Sequence, residues 1–206
     1  MAKMIDNKPS WKGEGKVWES LSANLPGDNV VYNQREVNGR EYDFCVMAEN
    51  LGLVIIEVKG WDPDKIDVRG VDNIIVDGYD EPQTSPKKQA RAYRFAILNK
   101  IVEKYNASPL VLDMVCYPFI TQEQYVRTKL DIVSEPEYTI FKEDIEDGKK
   151  LYEKIQHLFT LNKFIPHADF SYDLMVRIRK QLEPDFKLSV VDNKNKPYSK
   201  LSIFPN

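Results

Sequence analysis

The pattern of hydrophobic and polar positions changes its period along the chain and so predicts the order of helices and strands. Apolar residues at helical spacing predict helices, and alternating or β-branched apolar runs predict strands. Asn38-Gly39 lies between two such runs and is a strong signal for a hairpin turn. Ser85 and Pro86 suit the cap and first position of a long helix. In chain order, the predicted elements are a helix over Gly13–Leu25, strands over Val30–Val37, Arg40–Ala48 and Leu53–Lys59, a small hairpin over Lys65–Val68 and Asn73–Val76, a helix from Ser85 to about Tyr105, strands over Leu110–Tyr117 and Glu137–Phe141, and helices over Gly148–Phe164 and Tyr172–Leu182.

The order helix, hairpin, strand, long helix, strand predicts an α/β (α+β) fold with a mixed central β-sheet flanked by helices. We expect a core over residues 1–120 and a C-terminal extension of helices and a strand, residues 121–183, packed on it. The polar sequence from Pro184 onward predicts a tail or linker over residues 184–206.

Composition narrows the class of protein. Of the 206 residues, 42% are hydrophobic and 30% charged, which is typical of a soluble globular protein. No stretch approaches the roughly 20 apolar residues that span a bilayer, and the start lacks a hydrophobic signal core, so we expect a cytoplasmic protein without membrane contact. Cys45 and Cys116 lie in apolar runs and are expected to be buried free thiols. The net charge of −3 gives no support for a protein that merely coats nucleic acid, but it does not exclude a nuclease with an acidic metal site.

The candidate chemistry centres on Asp43, Glu57 and Lys59. An acid-x-Lys triplet alone means little, because this chain contains several. Glu57 differs from the others because it ends an apolar strand, where alternation places it and Lys59 on the same face as the apolar residues. Burying a charged side chain on such an apolar face costs free energy unless the charge is paired or binds a metal.

The expected strand register brings the two acids together. If the strands over residues 40–48 and 53–59 form a hairpin centred on Asn50, each residue faces the one whose number brings the sum to 100. Asp43 then lies opposite Glu57. Like charges in that position are destabilising, but two carboxylates suit a hard divalent cation such as Mg²⁺. A slip of one residue would turn Asp43 away from this face.

Other polar residues are predicted to surround this pair. Glu14 lies in phase with the apolar stripe of its helix. Gln89 and Tyr93 lie one turn apart on one helix face and could bind a common ligand. Four basic residues on the same helix are candidates for phosphate contacts: Lys87, Lys88, Arg91 and Arg94.

Three segments of the chain, taken together, resemble the NERD (nuclease-related domain) family of the PD-(D/E)XK nuclease superfamily. They are GEGKVWESL, GREYDFCVMAENLGLVIIEVKGW and SPKKQARAY, and the resemblance spans about residues 10–120. Tyr42 stands where the superfamily signature has a proline, which is the most variable position of that signature.

The resemblance implies a restriction-endonuclease-like core and metal-dependent hydrolysis of DNA phosphodiesters. It implies Mg²⁺ or Mn²⁺ held by Asp43, Glu57 and the Val58 carbonyl, with Lys59 as catalytic lysine and Glu14 as supporting acid. Gln89 and Tyr93 match a Q-x-x-x-Y helix found in some members of the superfamily, where they would position nucleotides.

Other interpretations remain open at this point. Asp43, Glu57 and Lys59 could form a structural ion-pair cluster, and the basic helix residues could be a solvated face. The domain could be a nucleic-acid-binding accessory module of a larger helicase-type protein, or a dimeric junction-resolving enzyme.

Trp61 could stack on a base, although a tryptophan at a strand end more often packs in the protein interior. His157 and His167 have no Cys or His at metal-ligand spacing, which disfavours a zinc site. Strand preference and oligomeric state are not predicted.

Overall fold

The computed structural model describes residues 1–37 and 39–182 and contains a six-stranded mixed sheet in the order β1-β2-β3-β4-β7-β8. Strands β2, β3 and β4 pair antiparallel, whereas β1 pairs parallel with β2, and β7 pairs parallel with both β4 and β8. A separate antiparallel pair consists of β5 and β6. The strands are β1 Lys3–Met4, β2 Val30–Val37, β3 Arg40–Ala48, β4 Gly52–Val58, β5 Ile66–Gly70, β6 Asn73–Val76, β7 Val111–Cys116 and β8 Thr139–Ile140.

Helices cover both faces of the central sheet. One face packs in a single core with α1 and α5, and α2 packs on the other face against β4 and β7. Alternation along β7 separates the two faces, because Met114 lies in the core with α1 and α5 while Asp113 pairs with residues of α2. The helices are α1 Lys12–Asn24, α2 Pro86–Tyr105, α3 Gln122–Arg127, α4 Lys142–Glu146, α5 Gly148–Asn162 and α6 Tyr172–Leu182.

This architecture confirms the predicted fold class, a restriction-endonuclease-like core with helices around a mixed sheet. The hairpin strands β2 and β3 have the predicted bounds, and α2 begins at Pro86 with the Ser85 hydroxyl accepting a hydrogen bond from the Lys88 amide. Among the described strands and α-helices, three short elements had not been predicted: β1, α3 and α4. They span two, six and five residues, which is too short for a hydrophobic period to show.

Residues Met1–Phe170 form one compact unit, and β8 and α5 belong to it. Helix α6 belongs to a second unit that begins at Ser171. The predicted polar tail, residues 184–206, lies outside the described residues, and the division at residue 120 stays a prediction. Cys45 and Cys116 are buried free thiols, as expected. Among the described helices, none has the length and apolar character needed to cross a bilayer.

Gly52 is the tightest point of the turn between β3 and β4. Its φ is +143°, a backbone conformation that residues with a side chain rarely adopt. A Cβ built there would lie 2.1 Å from the Leu110 carbonyl oxygen. The same carbonyl accepts a hydrogen bond from the Leu53 amide at 2.9 Å, so the backbone of β4 lies directly against the approach to β7. Glycine is therefore required here both for its backbone conformation and for space.

We expect Gly52→Ala to lower the free energy of unfolding by more than about 3 kcal/mol, because strain and a backbone clash act together. Gly78→Ala is a matched control, since Gly78 also has a positive φ of +95° but has open space around its Cβ position. This control should lose only about 1–2 kcal/mol. Urea denaturation of both variants measures the difference, and equal losses would contradict the role of the Leu110 contact.

Candidate active site

Asp43 lies where strand β3 passes beyond its regular pairing with β4. The paired positions run from Ala48–Gly52 to Phe44–Ile56, so the numbers sum to 100 as predicted. One step beyond this ladder, the Asp43 carboxylate accepts a hydrogen bond from the Val58 amide at 2.6 Å. The carboxylate is thereby fixed against the end of β4.

Glu57 and Lys59 form an ion pair at the same strand end. The Lys59 ammonium donates to Glu57 Oε1 at 2.8 Å, and only 6% of the Glu57 side chain is exposed. The neighbouring residues Ile56 and Val58 lie in the core with α1 and α5, so alternation turns Glu57 towards the opposite face of the sheet. A nearly buried carboxylate with one ammonium partner results.

Electrostatics joins these residues and Glu14 into one cluster. Burial raises the pKa of Asp43 to about 7, and repulsion from Glu57 and Glu14 adds to the rise. The Val58 hydrogen bond and the nearby Lys59 ammonium act in the opposite direction but do not offset it. The pKa of Glu14 is also raised, first by burial and then by Glu41 and Glu57. The structure therefore brings together all three predicted acids and the predicted lysine.

Gln34 is a member of this cluster that the sequence analysis missed. Its side-chain amide donates to Glu14 Oε2 at 3.0 Å, which links β2 to the first turn of α1. Its φ is +52° within a strand, a left-handed conformation that is unusual for a residue with a side chain. Nothing in the local sequence indicates this conformation, because valine-rich β2 otherwise reads as a regular strand.

Asp6 holds both neighbours of Gln34 in place. Its carboxylate accepts from the Asn33 amide at 3.1 Å, and it pairs with the Arg35 guanidinium at 2.6 Å. The regular pairs Asn33–Phe44 and Arg35–Tyr42 flank Gln34 in the ladder with β3. The contacts of Asp6 therefore hold Gln34 in its strained conformation from both sides. Strained residues persist only where the surrounding structure holds them in this way, and they are common at functional sites.

The helix α2 presents its predicted site residues in two different ways. Gln89 is partly buried and donates to Thr84 Oγ1 at 2.8 Å, and Tyr93 is also partly buried. Lys87 is buried, and its ammonium lies 2.9 Å from Asp113 Oδ2 and 3.8 Å from the centroid of the Tyr138 ring. The first group remains near solvent, whereas the second belongs to the packing of α2 on β7.

The remaining predicted phosphate contacts divide in the same way. Arg94 pairs with the second oxygen of Asp113 at 3.0 Å. Lys88 is exposed and pairs with Asp72, and Arg91 is exposed. For Lys87 and Arg94 the structure thus shows a use inside the fold, and a phosphate role for the four basic residues stays a prediction.

The donor set fits a hard divalent cation. Among the described residues, no three His, Cys, Asp or Glu side chains form a preformed metal cage. Mg²⁺ does not need one, because it is commonly bound by one or two carboxylates and several waters. In the described part of the chain, the second oxygen of both Asp43 and Glu57 has no hydrogen-bond partner. A cation would also offset the cost of burying the Asp43 carboxylate and its repulsion by Glu57, which together raise the pKa of Asp43.

A known protein family matches the part of the chain that contains this cluster. The family model described as nuclease-related domain matches residues 9–118, a span that contains all the site residues predicted from the sequence. No curated protein and no solved structure matches the chain.

The raised pKa of Asp43 predicts a pH-dependent stability in the absence of metal. An unfolded aspartate has a pKa of about 3.9, so between about pH 4 and 7 the folded protein holds a proton that the unfolded chain has lost. Stability therefore falls as pH rises through this window. In EDTA, Asp43→Asn should remove most of this fall, leaving the part that the raised pKa of Glu14 contributes, and should raise the free energy of unfolding at pH 8 by about 2–4 kcal/mol. The exposed Asp169 provides the control Asp169→Asn, which should keep the wild-type slope. Urea denaturation at several pH values measures the free energy of unfolding. If it falls with the same slope in both variants, Asp43 is not the residue responsible.

The left-handed conformation of Gln34 predicts opposite effects of two substitutions at one position. Gln34→Ala removes the hydrogen bond to Glu14 and keeps the strain, whereas Gln34→Gly removes the same bond and relieves the strain. We expect the glycine variant to be more stable than the alanine variant by about 1 kcal/mol. Thermal denaturation of the pair measures this difference, and an alanine variant as stable as the glycine variant would show that the backbone is unstrained.

Proposed function

Because the chain belongs to the nuclease-related domain family, we propose that it is a metal-dependent nuclease that hydrolyses DNA phosphodiester bonds with Mg²⁺ or Mn²⁺. The observation that carries this proposal is the crowded acid pair beside a lysine. Asp43 is held next to Glu57 although burial, together with repulsion from the Glu57 carboxylate, raises the pKa of Asp43 to about 7. A fold that needed only stability would gain by replacing one of these acids.

Asp43 and Glu57 are the proposed metal ligands, together with the Val58 carbonyl. Bound there, the metal would lower the pKa of a coordinated water and offset charge on the scissile phosphate. The Val58 amide holds one oxygen of Asp43 and thereby aims the other at the site. The antiparallel register of β3 and β4 sets the separation of the two acids.

Lys59 is the proposed catalytic lysine. Its ammonium donates one hydrogen bond to Glu57, and two further N–H groups are available for a phosphate oxygen or the attacking water. As the water forms its bond to phosphorus, the bond to the leaving oxygen breaks and negative charge grows on the phosphate. A fixed ammonium stabilises that charge, and its tether to Glu57 limits the movement needed during the reaction.

The surrounding residues have proposed roles in positioning. Glu14 acts as the supporting acid, held by Gln34. Gln89 and Tyr93 lie near solvent on α2 and would contact the backbone or the nucleotides of the substrate. Lys88 and Arg91 are the members of the basic set best placed to reach phosphates, because they are exposed, whereas Lys87 and Arg94 pair with the buried Asp113.

The test compares wild-type protein with Asp43→Asn and Lys59→Ala on single-stranded, duplex and forked DNA. With Mg²⁺ or Mn²⁺ we expect cleavage by the wild type, no cleavage in EDTA, and at least about a 100-fold loss of rate in each variant. Lys149→Ala is the control, because the Lys149 side chain is 82% exposed and lies on α5. It should cleave at the wild-type rate.

Two outcomes would contradict the proposal. Cleavage that survives both site substitutions would place the activity elsewhere or in a contaminant. Metal-independent DNA binding without cleavage on any substrate would favour the accessory module of a larger helicase-type protein. Circular dichroism of each variant separates loss of activity from loss of fold.

A further inference from the structure

Two adjoining pockets lie at the N-terminal end of α1. One has a volume of about 410 Å³ and is lined in part by Trp11, Lys16 and Phe119. The other has a volume of about 320 Å³ and is lined in part by Gly60 and Phe119. Lys12 and Phe119 line both, so the two pockets form one groove, here named the α1 groove. Volumes of this size are within the range of ligand-binding pockets.

Trp11 provides an exposed aromatic surface in this groove. The residue is 73% exposed although tryptophan has the largest apolar side chain. It occupies the N-cap position of α1, where Ser, Thr, Asp or Asn would be expected, and no side chain caps the helix. Neither packing nor capping therefore accounts for a tryptophan at this position. Trp61, which also lines the groove, is 3% exposed and packs against Tyr117, so it is part of the wall.

The lining of the groove has a net positive charge that favours an anion, because its three lysines outnumber its two carboxylates, Glu19 and Asp62. Lys8, Lys12 and Lys16 line it, and the first and last of these pair with Glu19 and Glu146. Within the described part of the chain, Lys12 has no carboxylate partner, and its ammonium lies 5.5 Å from the centroid of the Phe119 ring. The uncapped N-terminus of α1 adds the positive end of the helix dipole.

The groove lies directly beside the candidate active site. A Cβ built on Gly13 would lie 3.3 Å from the Gly60 Cα, so the first turn of α1 contacts the residue that follows Lys59. Three residues of helix, about 4.5 Å along the axis, separate Trp11 from Glu14. A nucleic acid in the groove would therefore lie within about one helical turn of Glu14 and against Gly60, the residue that follows Lys59.

We propose that the α1 groove binds single-stranded DNA, with a base stacked on Trp11 and a phosphate held by Lys12, and delivers the adjoining phosphodiester to Asp43 and Glu57. An aromatic surface next to unpaired positive charge is the combination that binds single strands. The bases of a duplex are already stacked on each other and cannot use Trp11 in this way. The inference rests on the proposed function and defines its substrate as a single strand or a single-stranded end.

The test measures binding of the whole chain to a fluorescent oligo(dT) by anisotropy in EDTA, where no cleavage is needed. Trp11→Ala should weaken binding roughly 10-fold, and Trp11→Phe should restore most of the affinity, because base stacking on an aromatic contributes about 1–3 kcal/mol. Lys12→Ala should weaken binding and reduce the slope of log affinity against log salt by about 0.7. Controls are Phe164→Ala, at an aromatic that is 78% exposed, and Lys149→Ala. Both controls should bind like the wild type.

Wild-type affinity in Trp11→Ala and Lys12→Ala would overturn the proposal, as would an equal loss of affinity in Phe164→Ala. Failure of the nuclease proposal is recognised separately. It appears as absence of metal-dependent cleavage by the wild type, which this measurement in EDTA does not involve. A wild type that cleaves duplex DNA and does not bind oligo(dT) would leave the nuclease proposal intact and reject the groove.

Discussion

The close approach of two carboxylates at the end of the β3–β4 hairpin is the constraint on which the rest of the site depends. Pairing of β3 with β4 brings Asp43 to the end of β4, and burial together with repulsion raises its pKa to about 7. The Val58 amide and the Lys59 ammonium reduce this cost but do not remove it. Such an arrangement is unfavourable in the protein alone and favourable around a bound cation.

Further local strain lies next to the same residues. Gln34 adopts a left-handed conformation inside a strand and directs its amide to Glu14. Asp6 holds the residues on both sides of it. Proteins commonly depart from local conformational preference where a site must be built and compensate with contacts nearby. The strained residue and the crowded acids lie on neighbouring strands, which supports a functional origin for both.

The two sides of the sheet contribute differently to the site. Helix α1 brings Glu14 and, in the proposed mode of binding, the groove that holds a single strand. Helix α2 is anchored by Asp113, which pairs with Lys87 and Arg94, and it leaves Gln89 and Tyr93 near solvent. A basic helix therefore uses some of its charge for packing, and residue type alone does not distinguish that use from phosphate binding.

The sequence by itself determined the order of the long elements, the register of the β3–β4 hairpin and the identity of the acid pair. These features follow from hydrophobic period, turn residues and alternation, all of which are local along the chain. The tertiary structure alone decided that Asp113 takes the charges of Lys87 and Arg94, that Gln34 is strained, and that Trp11, Lys12 and Phe119 line one groove. Each of these depends on residues that are distant in sequence, and pairwise contacts between distant segments leave no periodic trace in either segment.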